Sequence, residues 1–322
     1  MSNYSTATPP PALTKSKAKR LNPIWQARLD RFRSNRLGLI SLIIFSLVFI
    51  LCMAANVIAN DKPLLVSYDG DYYVPVLTAY PETTFGGVFE TEANYKDPAV
   101  QALIEDKGFY VMPIIPFADQ TPNVELGLPY PAAPNAQNWL GTDDQGRDVL
   151  ARILYGMRVS LLFGIALTLA GALIGIIVGA IQGYYGGWVD LAGQRFMEVW
   201  GGMPQLFMII ILVSLFSPSV YVLFALMLLF GWMGLVGLVR AEFLRARNFD
   251  YVRAARNLGV SDSQIMRKHI LPNALASSLS QLPFILTANI IALTALDFLG
   301  YGLPPGSPSL GELMVQGKNN LD

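Results

Sequence analysis

Two stretches of this chain, 37–59 (LGLISLIIFSLVFILCMAANVIA) and 159–181 (VSLLFGIALTLAGALIGIIVGAI), hold no ionisable side chain apart from the thiol of Cys52. A helix needs about 20 apolar residues to cross roughly 30 Å of hydrocarbon, so each block is long enough to span a bilayer. Pro204–Phe216, Val220–Val239 and Ala276–Ala295 read similarly, the first of them only if Phe196–Met203 begin the span and place Glu198 near its end. The composition agrees, with 53% of residues hydrophobic and 14% charged, where a soluble domain carries about 25% charged. The sequence predicts an all-α polytopic membrane protein with five spans. The first block reads as a retained anchor, because residues 1–36 precede it, its apolar run is too long for a leader, and no small-residue cleavage site follows.

Charge sets the orientation. Residues 1–36 carry Lys15, Lys17, Lys19, Arg20, Arg28, Arg31, Arg33 and Arg36 against Asp30 alone. This basic tail predicts a cytoplasmic N-terminus and a first helix (37–59) running outward. Five spans then put 60–158 outside, 182–195 inside, 217–219 outside and 240–275 inside. The segment 60–138 has Lys62, Lys96 and Lys107 against eleven acids, whereas 240–275 has seven Lys/Arg against three. Residues 60–138 are also too many for a simple connector. They are rich in aromatics (Tyr72, Tyr73, Tyr80, Phe85, Phe89, Tyr95, Phe109, Tyr110), so a small ordered extracytoplasmic insertion is expected there.

Several chemistries lack their parts. Cys52 and His269 are the only residues of their kinds, which leaves no disulfide framework and no His or Cys cluster for a metal. No G-x-x-x-x-G-K-[ST] phosphate cradle, G-x-S-x-G elbow or H-E-x-x-H pair occurs, so neither a catalytic residue nor a cofactor site is expected in this chain. No nucleic-acid partner is expected. The spans offer Thr168, Gln281, Thr287 and Asn289 but no mid-membrane carboxylate, which argues against an ion-coupled carrier. A secondary transporter or channel subunit remains the alternative class. Gln281 and Asn289 are candidates for a substrate pathway, helix-to-helix hydrogen bonding being the other reading. Gly171, Gly175 and Gly179 recur every four residues along one helix side, with Gly164 a heptad earlier, where small residues let helices pack closely.

Two polar segments are patterned. In 138–161 (NWLGTDDQGRDVLARILYGMRVSL), Val149, Leu150, Ile153, Leu154 and Met157 recur at helical spacing. This predicts an amphipathic helix at the outer interface, with Asp143 and Asp144 in its first turn. In 251–273 (YVRAARNLGVSDSQIMRKHILPN), a short helix ends at Gly259, a natural C′ residue. Ser261 with Gln264 forms a capping-box pattern for a second helix, and Pro272 stops or kinks it. Arg253, Arg256, Arg267 and Lys268 are available to acidic groups or lipid head groups.

"AARNLGVSDSQIMRKHILPN" resembles the EAA loop of the membrane subunits of bacterial ABC importers: E-A-A, three residues, Gly, about nine residues, an apolar residue, one further residue, Leu-Pro. Ala254, Ala255, Gly259, Leu271 and Pro272 fit; Arg253 stands at the Glu position and His269 at the apolar one. "LGTDDQGRDVLARILYGMRVSL", "YYGGWVD" and "LDFLGYGLPPGSPSLGELM" are similar to the dipeptide and oligopeptide permease subfamily. The long acidic loop most resembles that of microcin C and peptide importers. The resemblance implies a permease domain at 139–322 with a cytoplasmic coupling loop at 240–275. It implies a second permease subunit, an ATP-binding subunit holding ATP and Mg, and a periplasmic binding protein, all working at the bacterial inner membrane. It makes Ala254, Ala255, Gly259, Leu271 and Pro272 the coupling residues. It also implies a sixth span, expected beyond Asp322.

Overall fold

The computed structural model describes residues 30–320; most of the basic tail read from the sequence lies outside them. The chain divides after Val48. The first part holds most of α1 (Arg36–Met53), a helix without a charged residue after Arg36. The second part holds the elements that follow.

Residues 65–111 build a small mixed lobe. Strands β1 (Leu65–Tyr68), β2 (Asp71–Tyr73) and β3 (Gly108–Val111) form an antiparallel sheet in the order β2-β1-β3. The β1–β2 turn is Asp69-Gly70, both at positive φ, the geometry a two-residue hairpin requires. Helix α2 (Pro98–Lys107) starts where the Asp97 side chain accepts from the Ala99 N–H at 2.9 Å. Phe85 is fully buried, ringed edge-on by Tyr68, Tyr73, Tyr80 and Tyr95 at 5.4 to 6.4 Å. Of the aromatics noted in the sequence, Phe85 and Tyr95 lie in this core and Tyr73, Tyr80 and Tyr110 pack against it, whereas Tyr72, Phe89 and Phe109 are exposed.

Among the described residues, four helices are long and apolar enough to cross a membrane, and a bent pair makes up to five. The second span is α3 (Val149–Tyr185), 37 residues or about 55 Å long. The separate interfacial helix expected at its start does not exist: its amphipathic turns are the first turns of α3. Asp143 and Asp144 are not in that first turn either. Asp148 is the N-cap, accepting from the Ala151 N–H at 2.7 Å. Where the third span is expected, α4 (Gly187–Gly201) and α5 (Gln205–Val213) meet at 71° across Gly202-Met203-Pro204, the geometry of a broken span or a re-entrant loop. The fourth, α6 (Val220–Ala246), runs seven residues beyond the predicted Val239. Helix α7 (Asp250–Asn257) follows, then α8 (Asp262–Phe298) and α9 (Leu310–Asn319).

Pro272 does not stop α8. A π-helical turn, Ile265–Ile270, ends two residues before it, and this wider turn accommodates the missing N–H and the ring. One helix therefore begins in the polar hairpin and ends as the last span.

Candidate coupling hairpin and the helices behind it

Helices α7 and α8 form a hairpin about Gly259. The chain leaves α7 through a Schellman arrangement: Val260 N–H donates to Ala255 O at 3.1 Å and Gly259 N–H to Arg256 O at 3.0 Å. Gly259 sits at φ +78°, and a Cβ there would have nothing within 4 Å of it. Backbone conformation, not space, is therefore what requires glycine at this turn. Ser261 has the extended backbone of an N-cap, but its side chain makes no cap hydrogen bond, so the capping box does not form.

The hairpin has two faces. Val252, Ala255, Ile265 and Ile270 are buried, and Leu271 packs on them half-buried. Arg253, Ala254, Leu258, Gly259 and Pro272 are exposed, Leu258 at 83%. The coupling residues named from the sequence are thus split. Ala255 and Leu271 hold the hairpin to the rest of the chain, while Ala254, Gly259 and Pro272 face outward.

The buried face belongs to a cluster that extends into the spans. Tyr184 and Ala172 of α3, and Leu235, Val239, Phe243 and Ala246 of α6, pack with Val252, Ala255, Ile265, Ile270 and Ala274. Close approach of α3 and α6 depends on glycine. A Cβ on Gly175 would lie 2.6 Å from Trp232 O, and one on Gly179 2.7 Å from Val236 O. Gly171 is looser, at 3.6 Å from Gly231 O. The groove continues to Gly183, whose Cβ would lie 2.5 Å from Arg240 O. Gly183 falls outside the apolar block and so escapes a search of the spans, although the same four-residue spacing marks it. Gly164 serves a different neighbour: its Cβ would meet Ile290 of α8 at 2.8 Å.

Polar contacts fix the same end. Arg240 holds Asp190 of α4 through two donors, Nη2 reaching Oδ2 at 2.7 Å. Gln194 Nε2 donates to Gln182 Oε1 at 2.8 Å. Asn289 donates to Thr168 Oγ1 at 2.9 Å between α8 and α3, whereas Gln281 is exposed. The two pathway candidates are therefore not brought together.

At the other end of α3, buried charges meet. Asp143 Oδ2 accepts from Arg147 Nε at 2.7 Å, and Arg152, with no exposed surface, donates from Nη2 to Glu312 Oε2 at 2.9 Å. Arg147 reaches Glu312 Oε1 at 3.1 Å. Nearby, Asp297 accepts from Ser309 Oγ at 2.7 Å and Leu303 N–H at 2.6 Å, clamping the turn between α8 and α9. Among the described residues, no group of three His, Cys, Asp or Glu side chains is arranged to hold a metal.

Residues 171–322, which hold the glycine groove and the hairpin, match the family described as binding-protein-dependent transport system inner membrane component. Residues 24–78 match the N-terminal TM domain of oligopeptide transport permease C. The chain is 57% identical over 302 residues to the inner membrane ABC transporter permease protein YejE of Escherichia coli (strain K12), covering 94% of this chain and 89% of that protein. It is 49% identical to the peptidoglycan transport system permease protein YejE of Agrobacterium fabrum, covering 96% and 87%. It is 36% identical to the dipeptide transport system permease protein DppC of Bacillus subtilis over 57% of this chain and 58% of that one. The glycine groove from Gly171 to Gly183 and the polar hairpin lie inside the family match, and the likeness to the first two relatives runs nearly end to end: the chain belongs to the family of inner-membrane permease components of binding-protein-dependent ABC transport systems.

Proposed function

We propose that this chain is the permease subunit of an ATP-driven importer for peptides or peptide-like compounds. The names of its relatives, which speak of dipeptide, oligopeptide and peptidoglycan transport, support the cargo class. The acidic lobe segment and the basic hairpin segment support an orientation with the N-terminus and hairpin in the cytoplasm and the lobe outside. ATP and Mg bind on a separate ATP-binding subunit, a binding protein delivers cargo to the outer side, and a second permease chain completes the pathway. Gln281 is the remaining candidate for a pathway contact, since Asn289 is engaged by Thr168.

The observation that carries this reading is the two-faced hairpin. Its exposed face, with Arg253, Ala254, Leu258 and Gly259, is where the ATP-binding subunit docks. Its buried face is part of the packing between α3, α6 and α8, so hairpin displacement is delivered to the spans. Switching a two-state membrane domain from 1:99 to 99:1 takes about 5.5 kcal/mol of differential interaction.

Copurification of the ATP-binding subunit, followed by ATPase assay with and without the binding protein, tests the assignment. In that complex Gly259→Val abolishes uptake and stimulated ATPase while membrane insertion is unchanged. Normal uptake by the variant sinks the coupling role.

A further inference from the structure

Tyr184 is the penultimate residue of α3, directly after the last glycine of the groove, and is 3% exposed. Its ring packs in the cluster shared by the hairpin and the spans. Its hydroxyl donates to Asp262 Oδ1 at 2.5 Å, and the Arg256 guanidinium of α7 stands over the ring at 5.4 Å. Arg247, from the link between α6 and α7, donates to its carbonyl at 3.4 Å. One residue thus touches the end of α6, the outgoing helix of the hairpin and the start of the returning one.

The Asp262 contact has a particular consequence. Asp262 is the first residue of the helix that continues through the π turn to Phe298 as the last span. The hydroxyl therefore ties the tip of the second span to the start of the last one, at the level of the hairpin. Apolar packing alone leaves two helix ends free to slip along each other, whereas a short hydrogen bond to a carboxylate is directional.

We infer that Tyr184 is a positioning residue for coupling: its hydroxyl, through Asp262, makes the second and last spans follow the hairpin as one body. This rests on the proposed coupling role of the hairpin. Tyr184 stands apart from the exposed docking face and acts entirely within the chain.

The test uses the complete importer in proteoliposomes and reads cargo imported per ATP hydrolysed. Tyr184→Phe keeps the ring and removes the hydroxyl; Asp262→Ala removes the acceptor from an exposed residue, so it reports even if the first variant assembles poorly. Both are expected to copurify with the ATP-binding subunit and to lower the ratio by about fivefold or more, in the range of ordinary coupling energies. Asp262→Asn keeps an acceptor oxygen and restores the ratio. The double variant Tyr184→Phe/Asp262→Ala is no worse than either single one. An unchanged ratio in both single variants, an Asn variant as defective as Ala, or additive losses overturns the tie. If the ratio is unchanged while Gly259→Val still uncouples, the tie alone is wrong; if Gly259→Val also transports normally, the coupling reading itself has failed.

Discussion

At the lobe end of α3 the fastening is electrostatic, with Arg147 and Arg152 shared between Asp143 and Glu312 and both guanidinium groups buried. Towards the hairpin end it is steric, with Gly175, Gly179 and Gly183 pressed onto the backbone of α6. The two ends are vulnerable in opposite ways. A buried ion network tolerates no missing partner, because the remaining charge is left desolvated. A glycine groove tolerates no added atom, because the neighbour it would strike is a helix backbone that cannot rotate away.

The largest effect expected from this contrast is at Glu312. Glu312→Ala takes from the fully buried Arg152 its shorter carboxylate contact, at 2.9 Å, and leaves it Asp143 at 3.4 Å; breaking a buried pair costs about 3–5 kcal/mol. Glu312 itself is 30% exposed, which puts the loss at the lower end of that range. Thermal unfolding in detergent measures it, and an unchanged midpoint breaks the electrostatic half of the comparison. A smaller effect is expected at Gly175, where alanine brings a methyl to 2.6 Å from a carbonyl oxygen and costs about 1–3 kcal/mol. Gly171→Ala, with ordinary contact at 3.6 Å, stays within about 0.5 kcal/mol. Equal midpoints for these two variants break the steric half. The smallest effect lies at neither fastening. Tyr95 in the lobe has a buried hydroxyl with no protein partner, and burial pushes its pKa above the usual phenol range. Tyr95→Phe is expected to be neutral or to stabilise by less than about 1 kcal/mol. A clear destabilisation of the lobe, read by hydrogen exchange over 65–111, shows that the hydroxyl is satisfied after all.

Features that depend on short-range pattern were legible in the sequence. Spans follow from apolar blocks, and the left-handed turn at Gly259 from a glycine placed after a short amphipathic helix. Three other features depend on distance or continuity. Arg152 and Glu312 are 160 residues apart, and nothing in either neighbourhood names the other. The division between Ala254 and Ala255 turns on which side of one helix meets the spans, and both residues fit the same motif. Pro272 reads as a break because local rules assume an α-helical hydrogen-bond ladder, and the π turn before it changes that ladder. The bend within the expected third span was hidden for a related reason: apolar composition persists across Gly201-Gly202-Met203-Pro204 while the direction of the chain turns by 71°.

The unbroken helix from Asp262 to Phe298 sets a rule about length. Each residue turns an α-helix by about 100°, so adding or deleting one residue between Gly259 and the span rotates the hairpin's exposed face by that angle relative to the membrane helices. Substitutions along the exposed face leave this phase alone. In this stretch the residue count between Gly259 and Pro272 therefore sets the phase between hairpin and span, whichever side chains stand at 253 and 269.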